Sequence, residues 1–216
     1  TASGGPLIDL PLKDFKYVKP LIALKHPNWK MGKKISIDSA TMMNKVFEVI
    51  EAKNIFDIEY KRLSILVHQK SYIHAIIKFS DGLTKIIVHD TNMKIPIFNT
   101  LYDDVQKKIS SNSLNIEKLN NLNLIKVDTQ KFPLIKILKQ MPNKTSFFET
   151  LLVTANDELV SLYLEKKINF TDIHKKLIRF INKKEFYKYR YKTPKNIKNI
   201  IDFNQYVRLK IHSKSI

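Results

Sequence analysis

The sequence predicts an α+β protein: a small, mostly antiparallel or mixed sheet flanked by helices, followed by a C-terminal helical bundle. Three observations carry this. Arg62–His68, Ser71–Phe79 and Leu83–Val88 are rich in β-branched residues, and the last two flank an Asp81-Gly82 turn, which favours a hairpin. From Phe132 onward the pattern turns helical, over Pro133–Gln140, Ser146–Lys166, Thr171–Asn182 and Pro194–Ile211. Between these regions, residues 103–131 are polar, rich in Asn, Ser and Lys, and hold no sustained period. The expected organisation is a sheet-bearing region over 1–102, a linker over 103–131 and a four-helix bundle over 132–216.

Taken in order, residues 1–33 read as loop with a short helical stretch near Pro11 to Tyr17. A strand over Lys34–Ile37 leads into a helix from about Thr41 to Phe56, which Asp38 or Ser39 can cap. Lys94–Phe98 reads as extended. Pro133 and Pro194 suit a first helical turn, and Phe170-Thr171 offers a hydrophobic residue followed by a cap.

Composition bounds the function. The chain has 216 residues, enough for one domain or two small ones, and is 44% hydrophobic, enough for a core. It has no cysteine, which excludes a disulfide framework, a thiol nucleophile and a Cys-ligated zinc. No apolar run approaches the roughly 20 residues a membrane-spanning helix needs, and the start is small and polar rather than signal-like. A soluble, cytoplasmic protein with no membrane partner is expected, or a plastid-type location in a eukaryote.

The net charge is +18, from 38 Lys+Arg against 20 Asp+Glu. A polyanion partner such as RNA is one reading of that excess. It would need a contiguous basic face with exposed aromatics such as Tyr187, Tyr189 and Tyr191. The excess is mostly lysine, in a chain also rich in Ile and Asn, as AT-rich codons favour; it is spread along the sequence apart from the tail near Lys183 to Lys195. Nucleic acid is therefore not the expected partner. Among the histidines, His68 and His74 read as partly buried and hydrogen-bonded, and His89, His174 and His212 as surface residues.

The stretch from Ile35 to Glu48 carries the most chemistry. A helix start with free N–H groups, a hydroxyl at Ser39, an amide at Asn44 and a lysine at Lys45 suits a phosphate. A carboxylate one turn on, at Glu48, suits a hard cation. The plainer alternative is a capped helix with an i,i+3 Lys45–Glu48 pair worth a few tenths of a kcal/mol.

Two further blocks precede this stretch: Ser3-Gly4-Gly5-Pro6, and His26-Pro27-Asn28-Trp29-Lys30-Met31-Gly32. In that order and spacing, with Ile37-Asp38-Ser39-Ala40-Thr41-Met42-Met43-Asn44-Lys45, they resemble the 1-deoxy-D-xylulose 5-phosphate reductoisomerase family. Weaker echoes follow in Val67-His68-Gln69-Lys70-Ser71, Asn92-Met93-Lys94, Ala155-Asn156-Asp157 and Phe170-Thr171-Asp172-Ile173.

The resemblance implies a sugar-phosphate substrate, NADPH, a Mg2+ or Mn2+ ion and a homodimer, with 1–102 as the catalytic domain. It implies that Ser3, Ser39, Asn44 and Lys45 bind the phosphate. It makes Glu48 a metal carboxylate and a catalytic group, and His26 a catalytic contact to substrate. Trp29 becomes part of a lid over the substrate, Gly32 a backbone contact to NADPH, and Met93 a neighbour of the nicotinamide. It also implies an NADPH domain and two more metal carboxylates ahead of Thr1, so this chain is expected to be part of a longer protein and inactive alone. A decayed, non-catalytic remnant is the other reading, because Val46 stands where the family has glycine, Gln69-Lys70 replaces Pro-Gln, and Thr91-Asn92 replaces Pro-Asp.

Overall fold

The computed structural model describes residues 1–26, 31–102 and 107–213. The chain divides into two compact units, interleaved in sequence. One is Thr1–Gly4 with Ile65–Val127, and the other is Gly5–Ser64 with Asp128–Ile216.

The first unit holds the strands. β1 (Leu66–Val67) pairs antiparallel with β4 (Ile125–Lys126), and β2 (Ile73–Lys78) pairs antiparallel with β3 (Thr84–Val88). The α+β class stands, with two small antiparallel sheets in place of one. The hairpin closes at Asp81-Gly82, where Gly82 takes φ +92° and the Asp81 carboxylate accepts from Leu83 N–H at 2.9 Å. Ala2 bridges Val67, and its carbonyl accepts from His68 N–H at 2.7 Å. The expected strand Arg62–His68 shrinks to β1, because Tyr60–Arg62 forms a 3-10 turn and Ser71 turns at φ +51°.

Lys94–Phe98 is not extended but opens helix α4 (Lys94–Leu101). The Asn92 side chain accepts from Lys94 N–H at 3.0 Å, and Pro96 sits in the first turn, where its missing N–H costs nothing. The polar stretch after residue 106 contains α5 (Ile116–Asn120), capped by Asn115, and β4.

The second unit is helical. A 3-10 turn (Leu12–Tyr17) and α1 (Pro20–Ala23) lead to α2 (Lys33–Thr41) and α3 (Met43–Phe56). After the 3-10 segment Pro133–Gln140 come α6 (Phe147–Leu164), α7 (Phe170–Ile181), a 3-10 segment at Lys184–Arg190 and α8 (Ile197–His212). α6 is the central rod. Phe148, Leu151, Leu152, Ala155, Leu159 and Val160 are all buried, with Thr154, Asn156 and Glu158 buried beside them, and the helix packs on α2, α7 and α8.

α7 buries Phe170, Ile173, Leu177 and Phe180, a single 3.6-period stripe. Its start is a capping box of Asn169 and Asp172, two residues earlier than the expected Thr171 cap. α8 buries Phe203, Val207 and Ile211 and starts at the Asn196 cap, so Pro194 lies ahead of the helix. Polar ties reinforce the apolar ones: Asn204 donates to the Thr154 hydroxyl at 2.7 Å, and Glu158 pairs with both Arg208 and His212.

A second element changes type. Lys34–Ile37 is the first half of helix α2, not a strand. The Ile35/Ile37 alternation imitates a strand, where both would share a face. In the helix they diverge: Ile37 is buried and Ile35 is 46% exposed. Gly32 opens α2, the Ser36 hydroxyl donates to its carbonyl at 2.9 Å, and Lys34 pairs with Asp38 one turn on.

Phe148 is fully buried under the Arg190 guanidinium, 4.5 Å from its ring centre. Phe148→Ala should remove about 3–5 kcal/mol of unfolding free energy, read by urea denaturation.

Candidate functional site

The site grows from the break between α2 and α3. The sequence suggests a strand leading into one helix from about Thr41, but Met42 adopts the left-handed conformation, φ 63° and ψ 13°, and separates two helices. A side chain in that conformation costs roughly 1–2 kcal/mol. Local bonds fix the turn: the Ser39 carbonyl accepts from Met42 N–H at 3.2 Å, and Thr41 Oγ1 donates to Ile37 and accepts from Met43 N–H. Met42 and Met43 are both buried.

This geometry corrects the role of two residues. Asp38 and Ser39 do not cap α3; they lie in the last turns of α2, where Ser36 through Thr41 are all buried. Ser39 is 4% exposed and packs against the opening loop. Gly5 sits at φ +69°, and a Cβ there would stand 2.4 Å from the Ser39 carbonyl oxygen and 3.2 Å from its hydroxyl. Only glycine lets the backbone approach Ser39 so closely.

On the far side of the break, Asn44, Lys45 and Glu48 occupy the first turns of α3. Asn44 Oδ1 accepts from Lys45 N–H at 2.9 Å. The Lys45 ammonium meets both Glu48 oxygens, at 2.8 and 2.7 Å. Lys45 is the more enclosed partner, its side chain 18% exposed against 52% for Glu48. His26 belongs to the same neighbourhood: burial, and then the positive charge of Lys45, hold its imidazole below the usual histidine range.

Val46 is fully buried, so its branched side chain is taken up in the helical core. Gly32, at the head of α2, has open space where a Cβ would be. Thus Ser39, Asn44, Lys45, Glu48, His26 and Gly32 all belong to one unit, with Ser39, Asn44, Lys45 and Glu48 flanking the α2–α3 break and Gly32 at the far end of α2. Ser3 and Met93 belong to the other unit, Met93 half-exposed at the start of α4. Trp29 lies outside the described residues.

Four residues gained importance that sequence reading had not given them. The Asp38 carboxylate, 2% exposed, receives Lys34 Nζ at 2.6 Å and the Asn156 amide at 2.8 Å. Lys34 also reaches Asp157 at 3.0 Å. Burial pushes Asp38 up from the usual carboxylate range, while Lys34 and Asn156 pull against it. Burial pulls Lys34 down, but Asp38 and then Asp157 outweigh it and leave its ammonium above its ordinary value. An acid at i+4 from a lysine, and an Asn-Asp pair inside an apolar helix, were the available signals.

A metal fits this set only in part. Among the described residues no group of three His, Asp or Glu could hold a cation, and Glu48 offers a single carboxylate. No helix among them is long and apolar enough to cross a membrane.

The His26 imidazole should titrate by NMR below 6.5, and Lys45→Met should move it upward. Because the folded state disfavours the protonated ring, its share of stability is full above that value and fades as pH falls toward the folded pKa. Gly5→Ala should cost about 1–3 kcal/mol in urea melts, since the added methyl meets both backbone strain and the Ser39 carbonyl.

Two family models match the chain. One describes the 1-deoxy-D-xylulose 5-phosphate reductoisomerase C-terminal domain and covers residues 1–56. The other describes the DXP reductoisomerase C-terminal domain and covers residues 89–210. The 1-deoxy-D-xylulose 5-phosphate reductoisomerase of Pelagibacter ubique is 57% identical over all 216 residues, which span 56% of that protein. That of a Sulfurihydrogenibium species is 42% identical over 188 residues, 87% of this chain and 50% of the relative.

Among solved structures, a DOX-P reductoisomerase in complex with NADPH, fosmidomycin and magnesium superposes with a TM-score of 0.87 at 29% identity, over 98% of this chain and 53% of that one. The Zymomonas mobilis enzyme with NADPH gives 0.84 at 30% identity, over 100% of this chain and 55% of that one. The chain spans about half the length of the relatives it matches. On the strength of these matches, the chain belongs to the 1-deoxy-D-xylulose 5-phosphate reductoisomerase family.

Proposed function

We propose that this chain is the substrate-binding and C-terminal part of an enzyme that converts 1-deoxy-D-xylulose 5-phosphate to 2-C-methyl-D-erythritol 4-phosphate, with NADPH and Mg2+ or Mn2+, in non-mevalonate isoprenoid synthesis. The observation that carries the reading is the Lys45 ammonium at the head of α3, partly enclosed, paired to Glu48 and felt as charge at His26.

The chemistry follows from exchange of partners. A phosphate dianion competes with Glu48 for Lys45, and a lysine on a flexible stem can follow it. The Ser39 hydroxyl and Asn44 amide orient the phosphate oxygens. Once Lys45 turns to phosphate, the Glu48 carboxylate is released and can serve as one oxygen ligand of a divalent cation. His26, disfavoured as a cation, is the neutral imidazole near pH 7 and can hydrogen-bond a substrate oxygen without adding charge.

The cation would supply Lewis-acid polarisation and NADPH the hydride. Ser3 is assigned to the phosphate, Trp29 to a cover that excludes water, and Gly32 and Met93 to the NADPH side, all on the family resemblance. One carboxylate among the described residues holds Mg2+ poorly, so the chain alone is proposed to be inactive.

Steady-state kinetics on the whole protein that contains this chain tests the reading. Lys45→Ala should raise the KM for the sugar phosphate by roughly 30-fold or more, and Glu48→Ala should lower kcat by roughly 100-fold or more. Parent-like turnover by both variants would falsify the assignment.

A further inference from the structure

We infer that Asp38 is a positioning residue for the substrate phosphate, acting through its neighbour Ser39, and that α6 of the C-terminal helical region takes part in substrate affinity through Asn156. The inference rests on the function proposed above.

The geometry is a clasp between two helices. Asp38 accepts from the Asn156 amide of α6 at 2.8 Å and binds the Lys34 ammonium of its own helix at 2.6 Å. Lys34 reaches back to Asp157 of α6 at 3.0 Å, so the pair of helices is tied twice. A buried carboxylate is a costly way to glue helices, because well-packed apolar residues do it as well or better. What a polar clasp adds is direction. Each bond is satisfied at one rotation of α2 about its axis, and a helix residue turns through about 100° relative to the next.

That rotation sets Ser39. Its carbonyl and hydroxyl lie under the Gly5 backbone, with no room for even a methyl group between them. The same carbonyl holds the Met42 N–H that starts the left-handed turn into α3. A slip of α2 would therefore shift the Ser39 hydroxyl and the origin of Asn44 and Lys45 together. The clasp touches neither phosphate nor cation; it aims the groups that do.

The test uses Asp38→Asn, Asn156→Asp and the double swap in the whole protein, with kinetics and thermal melts on each. Asp38→Asn should raise the KM for the sugar phosphate about tenfold while kcat stays within about threefold. Asn156→Asp, which sets two carboxylates face to face, should raise it further. The swap restores one amide and one carboxylate, and should bring KM back to within about threefold of the parent. If Asp38→Asn does not fold, Lys34→Met carries the test, since that side chain is 45% exposed.

Variants that lower the melting temperature but leave KM unchanged overturn the inference, as does a swap worse than both single changes. Lys45→Ala separates the two levels. If it leaves KM unchanged, the proposed function itself fails; if it raises KM while the clasp variants do not, only the clasp fails.

Discussion

Six successive residues, Ser36 to Thr41, are buried in one short helix, and four of them are polar. That constraint shapes everything around it, because each buried polar group must find a partner or cost of the order of 1–3 kcal/mol. Ser36 bonds back to Gly32, Thr41 to Ile37, and Asp38 across to Asn156 and Lys34. Ser39 meets the backbone of Gly5, whose missing side chain makes the approach possible. An apolar helix could have packed in several rotations; this one has little freedom.

The Lys45–Glu48 pair is the complementary case, a contact of low cost that can be exchanged. An exposed i,i+3 ion pair is worth at most a fraction of a kcal/mol, since water and salt compete for both ends. A carboxylate 52% exposed gives up its lysine easily. On the proposed function, α2 is firmly held where orientation matters, and the Lys45–Glu48 pair of α3 is lightly held where phosphate would displace it.

Legibility in the sequence followed the same division. The helices α6, α7 and α8 and the Asp81-Gly82 hairpin were readable because each depends on local period or turn chemistry. Lys34–Ile37 misled, because Ile35 and Ile37 alternate as in a strand while their helix is decided by tertiary burial of Ile37 and the Lys34–Asp38 pair. Met42 gave no sign of its left-handed turn, since methionine carries no preference for it. Asp38 read as a cap because short acids often cap, and its partner lies 118 residues away in sequence. His89 read as a surface residue, yet its ring stacks on His74 at 3.4 Å, a contact that only strand pairing creates.

Val46 shows how a local departure can leave its neighbour's surroundings open. On the family resemblance, a branched residue just after the lysine reads as an intrusion at the head of α3. In the structure Val46 is wholly buried, one residue after the lysine and on the packed side of α3, while Lys45 keeps part of its side chain in solvent. On a helix, neighbours in sequence point about 100° apart, so extra bulk at one position is absorbed by the core without entering the face its neighbour presents. The cost of that substitution therefore falls on packing of α3 against the 3-10 segment Pro133–Gln140 and the elements around it, where volume is decided by the core as a whole.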